Sequence, residues 1–178
     1  MVECRTEVER DVRGIRDVVF AAFGRCDEAD LVEALRRDPE AWIPGLSVVA
    51  IGVDGDVVGY ALLTRCRVGG HRALALAPCA VSPEWQNRGV GTDVTAYALD
   101  CARMRAARTR VVDERPPENL VVVLGHPEFY PRFGFRPATE VGIAASFEVP
   151  DEALMYLALD TDEPIPSGVI EYPAAFGV

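Results

Sequence analysis

No stretch of this sequence approaches the 18 or so consecutive apolar residues that a membrane-spanning helix requires, so none of it is expected to cross a bilayer. The first residues, MVECRTEVERDVRG, are charged throughout and lack the apolar segment of a signal peptide, which makes the cytoplasm the expected location. Cysteine is sparse and poorly placed for ligation. Cys4, Cys26, Cys66, Cys79 and Cys101 are far apart, with no CxxC and no histidine at ligand spacing. An odd, scattered set argues against a disulfide framework or a metal site and reads as reduced thiols buried as small hydrophobes. Repeats, low-complexity tracts and linker-like segments are absent as well.

Positive charge is also in short supply. Eighteen basic residues face 28 acidic ones, for a net charge of −10 and an isoelectric point near 4.7. Such a surface repels phosphate backbones, so nucleic acid is not an expected partner, whereas cationic small molecules and basic peptides are easier ones. A charged surface that only maintains solubility is the plainer reading of the same excess. What is present is an ordinary globular composition, 49% hydrophobic and 26% charged. The 178 residues fit a single domain over 1–178 whose core needs neither metal nor disulfide.

Apolar spacing predicts the elements. Residues 2–9 can form a short first strand. Val12, Ile15, Val19 and Phe23 recur at helical period from Asp11 onward, and Leu31 and Leu35 do so within Asp27–Arg37. LSVVAIGV and VVGYALLTR read as strands joined by the hairpin signal Asp54-Gly55-Asp56, and Gly69-Gly70 turns the chain into a third strand, RALALAPCAV. After Arg88, the residues Val90, Val94, Tyr97, Ala98, Cys101 and Met104 define one face of an amphipathic helix of about five turns. RTRVVDERPPEN (108–119) reads as an exposed loop and LVVVLG (120–125) as a buried strand. HPEFYPRFGF is a short helix or turn, broken by Pro131 and ended at Gly134. ALMYLAL (153–159) is the last strand before a proline-rich tail. The order β-α-α-β-β-β-α-β-α-β predicts a mixed α/β fold, a central mixed sheet with helices on both faces.

The chemistry concentrates in APCAVSPEWQNRGVGTDV (77–94). A strand delivers a glycine turn into a helix whose first N–H groups have no intrahelical partner and sit at the positive end of the helix dipole. Gly89 and Gly91 remove Cβ atoms that would hold an anion away, Arg88 adds charge, and Thr92 offers a hydroxyl. No Gly-Lys-Ser/Thr follows and the spacing is not GxGxxG, so neither a P-loop nor a dinucleotide fold is indicated. Pro78 cannot donate a ladder hydrogen bond, which suits a strand that parts from its neighbour and exposes backbone groups. Strand, gap and anion cup together suit an extended ligand with a diphosphate at one end. A helix start that merely tolerates glycine is the structural alternative.

LAPCAVSPEWQNRGVGTDV resembles the acyl-CoA-binding signature, Q/R-x-x-G-x-G/A after a splayed strand, of the GCN5-related N-acetyltransferase (GNAT) superfamily. FYPRFGF resembles the late Tyr-x-x-x-Gly-Phe segment of the same family, and VVVLGHPEFYPRFGFRPA with FEVPDEALMYLAL is similar to a branch of small bacterial N-acetyltransferases. The resemblance implies a splayed sheet of GNAT type over nearly the whole chain, and acetyl-CoA as cosubstrate with no metal. It places the diphosphate on the amides from Gln86 through Asn87, Arg88, Gly89, Val90, Gly91 and Thr92, and the pantetheine along Cys79, Ala80 and Val81. It makes Tyr130 the acid that protonates the departing thiolate, and the acceptor a primary amine of a small molecule or peptide. For the base it leaves Glu84, His126, Glu128 and a water chain open. His126 also reads as a loop residue, His71 as a surface one, Tyr130 as a packing residue, and Cys79 as a small thiol. Acidic groups in GRCDEAD (Asp27, Glu28, Asp30) and in TEVGIAASFEVPDEA (Glu140, Glu148, Asp151, Glu152) are candidate attractors of a cationic amine. A non-catalytic acyl-CoA-binding module is the alternative function, and a homodimer is one assembly the family admits.

Overall fold

The computed structural model describes residues 1–112 and 118–178. They divide into two compact units, Met1–Leu63 with Ala77–Cys101, and Thr64–Leu76 with Ala102–Val178. Strands β3 (Val57–Val68) and β4 (His71–Val81) and helix α3 (Val90–Val112) run through both.

In the first unit, β1 (Glu3–Thr6) pairs antiparallel with β2 (Ser47–Ile51), which pairs antiparallel with β3. The first strand is shorter than its sequence suggests. The buried Asp11 carboxylate accepts the Val8 N–H at 2.8 Å and holds Arg5 in a two-point ion pair, so the chain turns out of the strand at that point. The Arg5 hydrogen bond is the main reason the Asp11 carboxyl sits below the usual carboxylate range. Helix α1 (Val12–Phe23) buries Ile15, Val18 and Val19, and ends at Gly24 in the left-handed conformation. Helix α2 (Asp27–Arg37) has the bounds its periodicity predicts, with acids in the first turn and arginines in the last, as the helix dipole favours. A polar chain crosses this unit. Arg36 donates to Glu7 at 3.1 Å, Glu7 accepts the Ser47 hydroxyl, and Ser47 lies 2.8 Å from the fully buried Tyr60 hydroxyl.

Helix α3 differs most from expectation. It buries Val90, Val94, Thr95, Ala98, Leu99, Ala102 and Ala106, whereas Tyr97 and Met104 are exposed and Cys101 is only half-buried. The buried stripe is rich in alanine, which lets a helix backbone approach closely, and the bulkier Tyr97 and Met104 are left outside. The helix has 23 residues, more than six turns, and takes in 108–112 of the expected loop. Residues 113–117, with Pro116-Pro117, lie outside the described residues.

In the second unit, β4 pairs parallel with β5 (Leu120–Leu124) through Leu74↔Val121 and Ala75↔Val122. Those pairs lie before Pro78, while β4 itself continues to Val81. β5 pairs antiparallel with β8 (Leu154–Ala158), and β8 with β6 (Arg136–Pro137). β8 is not the last strand. The proline-rich tail folds back as β9 (Gly168–Glu171), which pairs with Arg67 and Val68 of β3 and with the two-residue β7 (Ile143–Ala144). Gly69 makes this return feasible: a Cβ there would stand 2.1 Å from the Ser167 carbonyl oxygen. Cys66 lies in the core of this unit, where burial pushes its thiol up to about 12. All five cysteines are free, but only Cys66 is fully buried and Cys26 is exposed, so the expectation of five buried thiols holds for one.

Glu118, expected in an exposed loop, is 2% exposed. Arg105 donates to one of its oxygens and Arg65 stands 3.4 Å from the other. Burial raises this carboxyl, but the Arg105 hydrogen bond, a backbone N–H and the two positive charges outweigh burial and leave it below its ordinary value. A carboxylate lowered on folding stabilises the fold above its unfolded pKa, near ~4.3, and loses that contribution as pH falls through the folded value. Glu118→Gln is therefore expected to cost roughly 1–3 kcal/mol at neutral pH, because it leaves the charges of two half-buried arginines uncompensated. The difference from wild type should shrink in urea titrations repeated below the carboxylate range. An equal loss at both pH values would contradict the linkage.

Candidate active site

The first unit brings together ten of the eleven site residues expected from sequence. At the end of β4, Ala80 is buried and Cys79 and Val81 are half-buried. The strand is pinned by the Ser82 N–H, which donates to the Val58 carbonyl at 2.9 Å. The Gln86 side chain reaches back and donates to the Val81 carbonyl at 3.1 Å. Its amide therefore braces the strand end instead of pointing outward.

A 3-10 turn, Pro83–Trp85, leads into the glycine segment. Asn87 and Gly89 both have positive φ, +60° and +86°. Left-handed residues close together turn successive backbone N–H groups toward one side, the concave arrangement that binds anions. The Asp93 N–H donates to the Gly89 carbonyl at 3.0 Å and begins the helical ladder, so the N–H groups of Val90 and Gly91 come before its first bond. A Cβ on Gly89 would meet nothing within 4 Å. Gln86, Asn87, Arg88 and Gly89 are exposed and Gly91 and Thr92 half-buried, whereas the Val90 side chain is in the core. Val90 can serve a ligand only through its backbone.

Trp85 was not anticipated from sequence. Arg88 stacks over its ring at 5.7 Å, and the two line an open cleft of about 340 Å³ with Asp54, Asp56 and Glu84. The available signal was Trp85 itself, a large aromatic between the strand and the glycines. Gly59 was likewise missed: a Cβ there would stand 2.8 Å from Val90 Cγ1, so glycine on β3 lets the start of α3 sit close.

The eleventh residue, Tyr130, belongs to the second unit. It is 7% exposed and opens a 3-10 turn, Tyr130–Phe133, capped by Gly134 with left-handed φ. Pro131 lies at the start of this turn, where its fixed φ is favourable, and so initiates the element it was expected to break. Phe129 and Phe135 meet the Tyr130 ring edge-on, with centroids at 5.0 and 5.7 Å.

Glu84, His126 and Glu128, the candidate bases, are all exposed, as is His71. The His126 carbonyl accepts the Phe129 N–H at 3.0 Å, the loop role expected of that position. The acids of the first acceptor segment are already paired. Arg25 holds Glu28 and lies 3.9 Å from Asp27, and Arg16 binds Asp30 at 2.8 Å. In the late segment Glu140 pairs with Arg136 at 2.7 Å, whereas Glu148, Asp151 and Glu152 are exposed. Among the described residues no group of three or more His, Cys, Asp or Glu is placed to hold a metal ion. No described helix is long and apolar enough to cross a membrane.

Residues 44–137 match the family model of the acetyltransferase (GNAT) domain. The chain is 37% identical to the uncharacterized N-acetyltransferase YjhQ of Escherichia coli K12 over 147 residues, 80% of this chain and 74% of the relative. Among solved structures, the GNAT family N-acetyltransferase YhbS from Escherichia coli in complex with CoA superposes with a TM-score of 0.86 at 26% identity. That match covers 99% of this chain and 92% of the other. A GNAT family acetyltransferase from Brucella melitensis in complex with acetyl-CoA gives 0.71 at 27% identity, covering 99% and 98%. These neighbours share the mixed α/β architecture, a splayed mixed sheet flanked by helices.

Proposed function

Because the chain belongs to the GNAT acetyltransferase family and is an acyl-CoA-dependent acyltransferase, we propose that it transfers the acetyl group of acetyl-CoA directly to a primary amine of a small molecule or peptide in the cytoplasm. The observation that carries this reading is the turn at Asn87–Gly89, left-handed and open, ahead of the first bonds of a 23-residue helix. A diphosphate is the anion such a cup accepts through backbone N–H groups. The CoA and acetyl-CoA complexes of the two structural relatives support identifying it as that of CoA.

In this reading the diphosphate lies on the amides of Arg88 to Thr92 and the pantetheine follows Cys79–Val81. The Val81 N–H faces the thioester oxygen and stabilises the charge that develops there. The amine nitrogen attacks the carbonyl carbon, a C–N bond forms, and the C–S bond breaks. Tyr130 donates its phenolic proton to the departing thiolate and is reprotonated from solvent. The proton shed by the attacking amine passes to solvent, directly or through one of the exposed groups Glu84, His126 and Glu128. Asp27, Glu28 and Asp30 have arginine partners, which leaves Glu148, Asp151 and Glu152 as the groups that draw a cationic amine.

Acetyl-CoA at 100 times its Kd should stabilise the fold by about 2.7 kcal/mol in a thermal-shift titration. A melting curve indifferent to millimolar acetyl-CoA would overturn the assignment of the cup. Thiol release across an amine panel then identifies the acceptor. All eighteen basic side chains are arginine, so acetylation of the enzyme's own lysines cannot contribute to the signal.

A further inference from the structure

We infer that the backbone of Gly125 and the rings of Phe129 and Phe135 form a clamp that positions the Tyr130 phenol, with Gly125 as the positioning residue that alanine cannot replace. The inference rests on Tyr130 as the proton donor to the thiolate.

Gly125 follows β5, and its N–H donates to the Ala153 carbonyl at 2.9 Å, which fixes its place beside the start of β8. It is not among the glycines with positive φ, so its backbone conformation is open to any residue. The requirement is space. A Cβ at position 125 would stand 2.4 Å from Cε2 of Tyr130, 3.2 Å from Cδ2 and 3.3 Å from Cζ, and real Cβ atoms essentially never approach within 3.0 Å. The ring thus rests directly against main chain on one side, and the edge-on rings of Phe129 and Phe135 hold it elsewhere. At 7% exposure it has little room to swing away.

A proton donor must present its oxygen within about 2.6–3.2 Å of the atom it protonates. A methyl at 125 would strike Cε2, the ring atom next to the Cζ that carries that oxygen, and would crowd Cζ itself. Displacement of a reacting group by about 1 Å can cost on the order of 10²-fold in rate. Only chemistry should suffer, because the acetyl-CoA contacts proposed here lie on β4 and the glycine turn.

The test is a double-mutant cycle on thiol release with Gly125→Ala, Tyr130→Phe and the double variant. Gly125→Ala should lower kcat by roughly 10²-fold with the KM for acetyl-CoA near wild type, and the double variant should be no slower than Tyr130→Phe alone. A further loss of the same size in the Tyr130→Phe background would mark a merely structural role and overturn the inference. Wild-type kcat in Gly125→Ala beside a slow Tyr130→Phe would overturn the positioning role and leave Tyr130 as donor. Wild-type kcat in Tyr130→Phe would overturn the donor, and the clamp's purpose with it. Phe129→Leu removes one wall without adding atoms and carries the same cycle if Gly125→Ala does not fold. Its loss, about 10-fold, should likewise vanish in the Tyr130→Phe background, and persistence there would overturn the clamp.

Discussion

Gly89→Glu should abolish acetyl-CoA binding while the protein still folds. Two effects add at this position. Gly89 holds φ of +86°, a conformation that costs an L-residue on the order of 1–3 kcal/mol unless its surroundings enforce it. The carboxylate would also enter the concavity formed ahead of α3, opposing the anion with like charge. The fold should tolerate the change, since a Cβ there meets nothing within 4 Å. Gly89→Ala separates the contributions, because it carries the backbone cost without the charge and should weaken binding only modestly. Equilibrium titration followed by tryptophan fluorescence is a natural readout, given Trp85 beside Arg88. An unchanged Kd in Gly89→Glu would mean that the diphosphate does not rest on this turn.

The second large effect belongs to Tyr130. Removing only the hydroxyl, as Tyr130→Phe does, should lower kcat by roughly 10²–10⁴-fold, the usual worth of a general acid. The matching loss of transition-state stabilisation is about 2.7–5.4 kcal/mol. KM for acetyl-CoA should change little, since the interaction matters only once the C–S bond breaks. A phenol near pKa ~10 and a thiol near ~8.5 differ by about 1.5 units, so proton transfer between them is uphill by only about 2 kcal/mol. The edge-on contacts with Phe129 and Phe135 involve the ring and are kept in Tyr130→Phe. Retention of wild-type kcat would return Tyr130 to the role of a packing residue.

Much of this molecule is legible in short windows of its chain. Periodicity predicts Asp27–Arg37 to the residue because a helix depends on neighbours three and four positions apart, with acids and arginines at the ends the dipole favours. The hairpin at Asp54–Asp56 and the glycine turn at 86–92 are equally local, since their backbone demands are met by the residues that make them. The GNAT family likeness rests on such windows.

Tertiary structure decided whatever depends on residues far apart. β6, β7 and β9 have two to four residues each and no period of their own; they exist because another strand offers unpaired backbone groups. Glu118 sits in a charged stretch that reads as exposed, yet Arg65 and Arg105 make its burial tolerable. Asp27, Glu28 and Asp30 read as available negative charge until Arg16 and Arg25 are placed against them. Face selection on α3 went to the alanine stripe over Tyr97 and Met104, a matter of how closely the helix can pack. Gly125 carries no local signal, because what forbids a side chain there is a ring five residues on, brought back by a turn. Backbone preference is written locally and can be read from sequence; the partner of a charge and the space beside a glycine exist only once the chain has folded.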